Sequence, residues 1–264
     1  MDVLIIGCGN MGSGLAELLG PYHRMFLHDH VWNWTQELSK KIEGTACQSL
    51  QEAIGLAEVI FLAIKPQNLK EIAPLISPYL KKDHILISLL AGTPLSTLRT
   101  SFLSPTLVRI MPNLAMCYGE GIVGIADSPD FPPHLKESLE TILAPLGLLY
   151  WLKEEQIDAL ASLASSGPAF IFTLIEAMIE AGVAMGFKPQ NAQDLIVKMI
   201  QGSLSMLEKT EEHPAKLKMQ IASPGGTTIA GLRKLEEKNV RSGLIETFLA
   251  TYRRGQELAN ESEQ

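Results

Sequence analysis

The chain has 264 residues, 46% hydrophobic and 19% charged, with a formal net charge of −7. That length allows one large or two ordinary domains with a substantial core, and the composition belongs to a folded globular chain, not a disordered one. The acidic balance and the absence of a long basic run argue against nucleic acid as a partner. Cys8, Cys47 and Cys117 are odd in number and lie in no metal-ligand spacing. They fit a reducing cytoplasm, and no metal is expected.

The chain opens on Asp2-Val3-Leu4-Ile5-Ile6, a short run rich in β-branched residues, which predicts a buried parallel strand. With a strand starting at Asp2, a signal or transit peptide is not expected, and the protein reads as cytoplasmic. The strand feeds Gly7-Cys8-Gly9-Asn10-Met11-Gly12, a G-x-G-x-x-G, and then a helical segment from Ser13. In that setting the first glycine makes a tight turn, and the second lets backbone approach a pyrophosphate. The third lets helix pack on strand. Gly7, Gly9, Asn10, Met11 and Gly12 are therefore the expected dinucleotide-binding residues.

A second strand-like run, Arg24-Met25-Phe26-Leu27-His28, ends at Asp29, about 20 residues on, where an acid bonds adenosine ribose hydroxyls. A carboxylate there repels the 2′-phosphate of NADP, so NADH is favoured over NADPH. His28 and His30 flank it and offer some compensation, and a solvated turn residue is the alternative. Further along, residues 50–57 predict a short helix, 58–64 and 84–90 predict strands, and 69–80 carry a helical pattern interrupted by Pro74 and Pro78. Strands follow at 106–111 and 121–125, a helix at 133–143 and a last strand at 148–152. This alternation indicates an α/β fold with a doubly wound, Rossmann-type sheet over residues 1–152.

Ligands of such sheets bind where strands end. Lys65, in Ile64-Lys65-Pro66-Gln67, is placed to reach cofactor phosphate, ribose or substrate, or to be simply solvated. Ala91 lies in a small-residue crossing, Leu90-Ala91-Gly92-Thr93, where backbone can lie against a nicotinamide. Asn113, in Met111-Pro112-Asn113, offers an amide for the carboxamide or for orienting a loop.

From 153 to 264 nearly everything has a helical period, with breaks at Ser166-Gly167-Pro168, 186–189, His213-Pro214 and 223–226. Ser166 is a candidate cap for a helix started by Pro168. The segment 168–185 carries Glu176 and Glu180, which makes it a poor membrane span. Phe170, Ile171, Phe172, Leu174, Ile175, Met178, Ile179 and Val183 cover more than one face of that helix. A helix apolar nearly all round must be buried on all sides, and a second copy of the chain is the simplest cover. The expectation is an all-helical dimerisation domain, in a homodimer or a larger homo-oligomer built from dimers.

Within it, Ser223-Pro224-Gly225-Gly226-Thr227-Thr228 interrupts the helices with a polar loop. Pro224, Gly225 and Gly226 stop one helix, and Thr227 and Thr228 open the next, so free N–H groups gather where a carboxylate or phosphate can sit. The Ser223 and Thr228 hydroxyls flank it. The alternative is a capped turn between packed helices.

These segments together resemble the pyrroline-5-carboxylate reductase family. The likeness is carried by the glycine motif, Phe61-Leu62-Ala63-Ile64-Lys65-Pro66-Gln67, Arg109-Ile110-Met111-Pro112-Asn113, Ser165-Ser166-Gly167-Pro168-Ala169 and, above all, the residues from Ser223 to Thr228. It implies a dinucleotide domain followed by a helical dimerisation domain. It also implies NAD(P)H-dependent reduction of a small cyclic imine, the last step of proline biosynthesis. By the same likeness Ser223, Gly225, Gly226, Thr227 and Thr228 line the substrate site, with Thr228 near the imine nitrogen, and Lys65 and Asn113 lie on the cofactor side. Asp29 departs from the small hydroxylated or amide residues common in relatives, and Met219 and Gln220 replace more polar ones. Two other readings remain. One is a β-hydroxyacid-type dehydrogenase using Lys188 and Asn191, and the other is a non-catalytic dinucleotide-sensing dimer.

Overall fold

Branched and aromatic side chains in seven runs of four to seven residues, with one two-residue strand, build one sheet of eight strands. In the computed structural model, which describes residues 1–262, these are β1 (Asp2–Ile6), β2 (Arg24–His28), β3 (Thr45–Ala46), β4 (Val59–Leu62), β5 (Ile85–Ser88), β6 (Thr106–Pro112), β7 (Gly121–Ala126) and β8 (Gly147–Leu152). Their order is β3-β2-β1-β4-β5-β6-β7-β8. The first six are parallel. Each is joined to the next by a helix: α1 (Asn10–Leu19), α2 (Trp32–Lys41), α3 (Leu50–Leu56), α4 (Leu69–Ile76) and α5 (Leu95–Ser101).

The sheet departs from an all-parallel arrangement at its far edge, where β7 runs antiparallel to β6 and β8 runs parallel to β7. Only the 3-10 segment Leu114–Tyr118 links β6 to β7, too short for a crossover, so the chain must reverse. The longer excursion through α6 (Pro133–Leu143) then brings β8 back alongside β7. Pro74 sits inside α4, so the expected interruption there falls later, at the 3-10 turn Ser77–Tyr79.

Alternate residues of β1 enter different cores. Val3 and Ile5 pack with Leu15, Leu19, Phe61 and Val108 on one face, and Leu4 and Ile6 with Phe26, Ile54, Ile60 and Phe102 on the other. Both faces are thus covered from within the chain, the condition for a parallel sheet.

By its contacts the chain divides into Met1–Ser165, together with the end of the last helix from Thr251, and a second unit, Ser166–Ala250. A short helix α7 (Ile157–Leu160) and a π-helical turn, Ala161–Ser165, close the first. The second consists of α8 (Gly167–Ala184), α9 (Pro189–Thr210), α10 (Pro214–Ile221), α11 (Thr227–Glu237) and the start of α12 (Val240–Ser262). Within it α8 packs along α9, where Gly182 leaves no room for a Cβ beside Ala192, and Phe170 meets Phe248 edge-to-face at 5.2 Å.

Ser166 does not cap α8. Its backbone is already helical and its side chain makes no cap hydrogen bond. The helical path therefore runs on from Glu154 to Ala184, a 31-residue stretch long and apolar enough to cross a membrane by length and composition despite its glutamates. Only 11% of its most apolar window is buried. Phe172 is 66% exposed, and Ile171, Met178 and Val183 are exposed beside it.

Candidate cofactor and substrate sites

The glycine loop follows β1 at the point where the strand order reverses, with β2 on one side and β4 on the other. Gly7 has φ +100, and a Cβ there would lie 2.6 Å from the Ala63 carbonyl oxygen. Gly12 is tighter still, since its Cβ would fall 1.8 Å from the Gly7 oxygen. Gly9 is different. It precedes α1 in an extended conformation with no side-chain cap, and nothing stands within 4 Å of where its Cβ would be. Two glycines are thus required by packing, and the third leaves open space at a helix end whose first N–H groups lack intrahelical partners. No acidic side chain occupies that first turn. The cradle fits a dinucleotide pyrophosphate. Gly14, unremarked in the sequence, packs against the Cys117 sulfur, where a Cβ would lie 2.2 Å away.

Cys8 inside the loop is buried, and burial together with the nearby Asp29 charge pushes its thiol up to about 12. It is a small core residue, not a nucleophile. Asp29 itself follows β2 with its side chain only 7% exposed. Its Oδ2 accepts the Cys8 N–H at 2.7 Å and its Oδ1 accepts the Val31 N–H at 2.8 Å, with His30 Nδ1 at 2.9 Å. The carboxylate therefore ties the end of β2 to the glycine loop, a partnership across 21 residues that no local pattern announces.

Lys65 is exposed just after β4, at the entrance to a 3-10 turn begun by Pro66. Ala91 is exposed after β5, beside Gly92, which adopts φ +67. Both stand at carboxyl ends of strands. Asn113 does not face outward. It is buried, its Nδ2 donates to the Ala164 carbonyl at 2.9 Å, and its Oδ1 accepts the Ile122 N–H at 3.0 Å. Its amide orients the turn after β6, the loop-orienting half of the sequence expectation.

One cluster had no sequence signal beyond its place in a motif. Arg109 on β6 is buried, with its guanidinium on Glu154 at 3.3 Å and on Asp158 at 2.9 Å. Glu154 also accepts the Leu95 N–H at the head of α5 at 2.5 Å, so the group anchors the segment that leaves Ala91.

In the helical unit, Gly225 adopts φ +72, which lets the chain turn out of α10 and into α11. The Gly226 N–H closes the turn on the Ser223 carbonyl at 3.0 Å, and a Cβ on Gly226 would strike the Ser223 hydroxyl at 2.3 Å. Ser223 and Thr227 are exposed and Thr228 is half-buried. No side chain caps the start of α11, so its first N–H groups lack side-chain partners as well as intrahelical ones. His213, by contrast, caps α10 by accepting the Ala215 N–H at 3.2 Å.

Comparison with known proteins bears on both units. Residues 154–258 match the family described as pyrroline-5-carboxylate reductase dimerisation, and residues 2–92 match the one described as NADP oxidoreductase, coenzyme F420-dependent. A pyrroline-5-carboxylate reductase of Methanosarcina acetivorans is 33% identical over 96% of each chain, and one of Synechocystis is 36% identical over 79% of this chain and 78% of its own. This chain belongs to the pyrroline-5-carboxylate reductase family. A solved Plasmodium falciparum pyrroline carboxylate reductase with NADP bound superposes with a TM-score of 0.87 at 25% identity, covering 98% of both chains. In this reductase the rival lysine–asparagine pair is not gathered into a site. Lys188 is the extended residue ahead of α9, Asn191 lies in that helix's first turn, and both are exposed.

Proposed function

We propose that this reductase converts 1-pyrroline-5-carboxylate to L-proline, with Gly7, Gly9, Asn10, Met11, Gly12, Lys65 and Ala91 on the cofactor and Ser223, Gly225, Gly226, Thr227 and Thr228 on the substrate. The observation that carries the substrate assignment is the uncapped turn into α11, with its left-handed Gly225 and the close packing of Gly226 on Ser223. The N–H groups at that helix start hold the substrate carboxylate, and the helix dipole favours its charge. The Thr228 hydroxyl accepts from the protonated ring nitrogen and Ser223 borders the carboxylate. When bound, NAD(P)H supplies the hydride for the C=N carbon. The chain's task is positioning and favouring the protonated, more electrophilic imine. Ser223, Thr227 and Thr228 include no strong acid, so the proton arrives with the substrate or through water. The functional division is read at residues 152 and 153, with a cofactor-binding part before it and a substrate-binding, dimer-forming part after it.

The exposed apolar surface of α8 is covered by a second copy of the chain in the homodimer, which also accounts for an apolar stretch of membrane-spanning length. The charge of Asp29 disfavours a 2′-phosphate and leans the choice toward NADH. The three cysteines are free thiols, in keeping with a cytoplasmic enzyme. Following NADH and NADPH oxidation with 1-pyrroline-5-carboxylate, and reduction of NAD+ and NADP+ with a panel of hydroxyacids, tests the assignment. Turnover with the imine alone is expected. Turnover only with a hydroxyacid and the oxidised cofactor, or cofactor binding without turnover, would overturn it.

A further inference from the structure

We propose that a cleft at the edge of the sheet opposite the cofactor loops is a second small-molecule site, built for a zwitterionic amino acid with an apolar side chain. The glycine loop, Lys65 and Ala91 stand at the carboxyl ends of β1, β4 and β5. The cleft opens at the other edge, where β5 and β6 begin and antiparallel β7 has ended. Residues of the last turn of α5 and the first turn of α6 line it. Its volume is about 690 Å³, within the range of small-ligand pockets, roughly 300–1,000 Å³.

Phe102, Leu107 and Leu135 are buried and give the cleft an apolar floor, and Leu103 stands at its rim, 87% exposed. Two cations, Lys82 and Arg99, and two carboxylates, Asp83 and Asp130, also line it, all exposed. None of these four side chains has a hydrogen-bond or ion-pair partner among the described residues. Lys136 and Glu140 of α6, by contrast, are held by Asp127 and Trp151. Balanced charges give a polyanion no net attraction, and a neutral ligand uses none of them. A ligand with one charge of each sign uses both. Ser128, only 5% exposed, also lines the cleft. Its hydroxyl accepts the Asp130 N–H at 3.4 Å and donates to no described residue, so its proton is free for a carboxylate oxygen. No side chain caps α6 and its first turn holds no acid, so its dipole favours the same carboxylate. The ligand's carboxylate sits between Arg99 and Ser128, its ammonium at Asp130, and its side chain on the apolar floor. Each exposed ion contact is weak by itself, so affinity comes from their combination with apolar burial.

Ligand-observed NMR titration of the full-length protein with L-phenylalanine tests the site without recourse to turnover. Two analogues, 3-phenylpropionate and 2-phenylethylamine, each lack one of the two charges. The protein is compared with Arg99→Gln and Asp130→Asn, both at exposed positions where the change costs no core packing. L-Phenylalanine should bind the wild type, and each substitution should weaken it about tenfold, as for one lost charge-assisted hydrogen bond. Both analogues should bind the wild type more weakly than the amino acid. Absence of L-phenylalanine binding overturns the proposal. So does binding that either substitution leaves unchanged, which would seat the ligand elsewhere, such as in the loop from Ser223 to Thr228. Equal affinity for either analogue would also overturn it, since the cleft would then not read a zwitterion.

Discussion

β1 and α8 are both apolar almost without interruption, yet they end in opposite circumstances. Val3, Leu4, Ile5 and Ile6 are buried entirely by their own chain, under helices on both faces of the sheet. Of the 18 residues of α8, only Gly167 and Gly182 are buried, and Phe172 stands 66% exposed. A continuous apolar run states that a segment will be covered on every side. It does not state by what. The sheet unit carries its own cover because crossover helices follow its first five strands, whereas the helical unit leaves such a surface exposed, the one proposed above for a second copy.

The sharpest way to break this contrast is to damage each unit in its own manner. Gly12→Val drives a branched side chain into the Gly7 carbonyl, only 1.8 Å from its Cβ. We expect a loss of dinucleotide binding and a fall in melting temperature even at high protein concentration, because the fault lies inside one chain. Normal cofactor titration by this variant would show that the loop tolerates rearrangement. Phe172→Asp acts between chains. Sedimentation should show loss of the dimer, with aggregation or unfolding in place of a well-behaved monomer, as for a central interface residue worth about 2–4 kcal/mol. A stable, active monomer would show that the surface of α8 has no such role.

The proposed substrate loop sharpens the comparison further, since it belongs to the helical unit while its turn is set by local geometry. Thr228→Ala should lower kcat/KM by about 1–3 kcal/mol while NADH binding is unchanged. Gly226→Val should be worse, because its Cβ overlaps the Ser223 hydroxyl. Stopped-flow turnover alongside cofactor fluorescence separates the two effects, and unchanged turnover in folded Thr228→Ala would remove that hydroxyl from the chemistry. Smallest is Asp29→Ser, expected to move preference toward NADPH by about tenfold, roughly 1.4 kcal/mol. Because Asp29 also holds the Cys8 N–H, both cofactors should bind more weakly in this variant. Parallel kinetics with NADH and NADPH check this, and a fall in both without a change in their ratio would make Asp29 purely a brace for the loop.

From the sequence alone came the features that depend on chemistry within a few residues. The glycine loop, the alternation of strands and helices, the helical second half and the turn from Ser223 to Thr228 are all set by backbone freedom, hydrophobic period and helix ends. The missed strand β3 is two residues long, too short to show any period. What tertiary structure decided lies in partners far apart along the chain. The reversal at β7 depended on which strand it met after a short link. Asp29 found the Cys8 N–H, Asn113 was drawn inward by Ala164 and Ile122, and Arg109 gathered Glu154 and Asp158 from 45 and 49 residues away. A polar side chain records what it can bond but not which group the fold will bring to it, since burial makes it take whatever partner packing supplies.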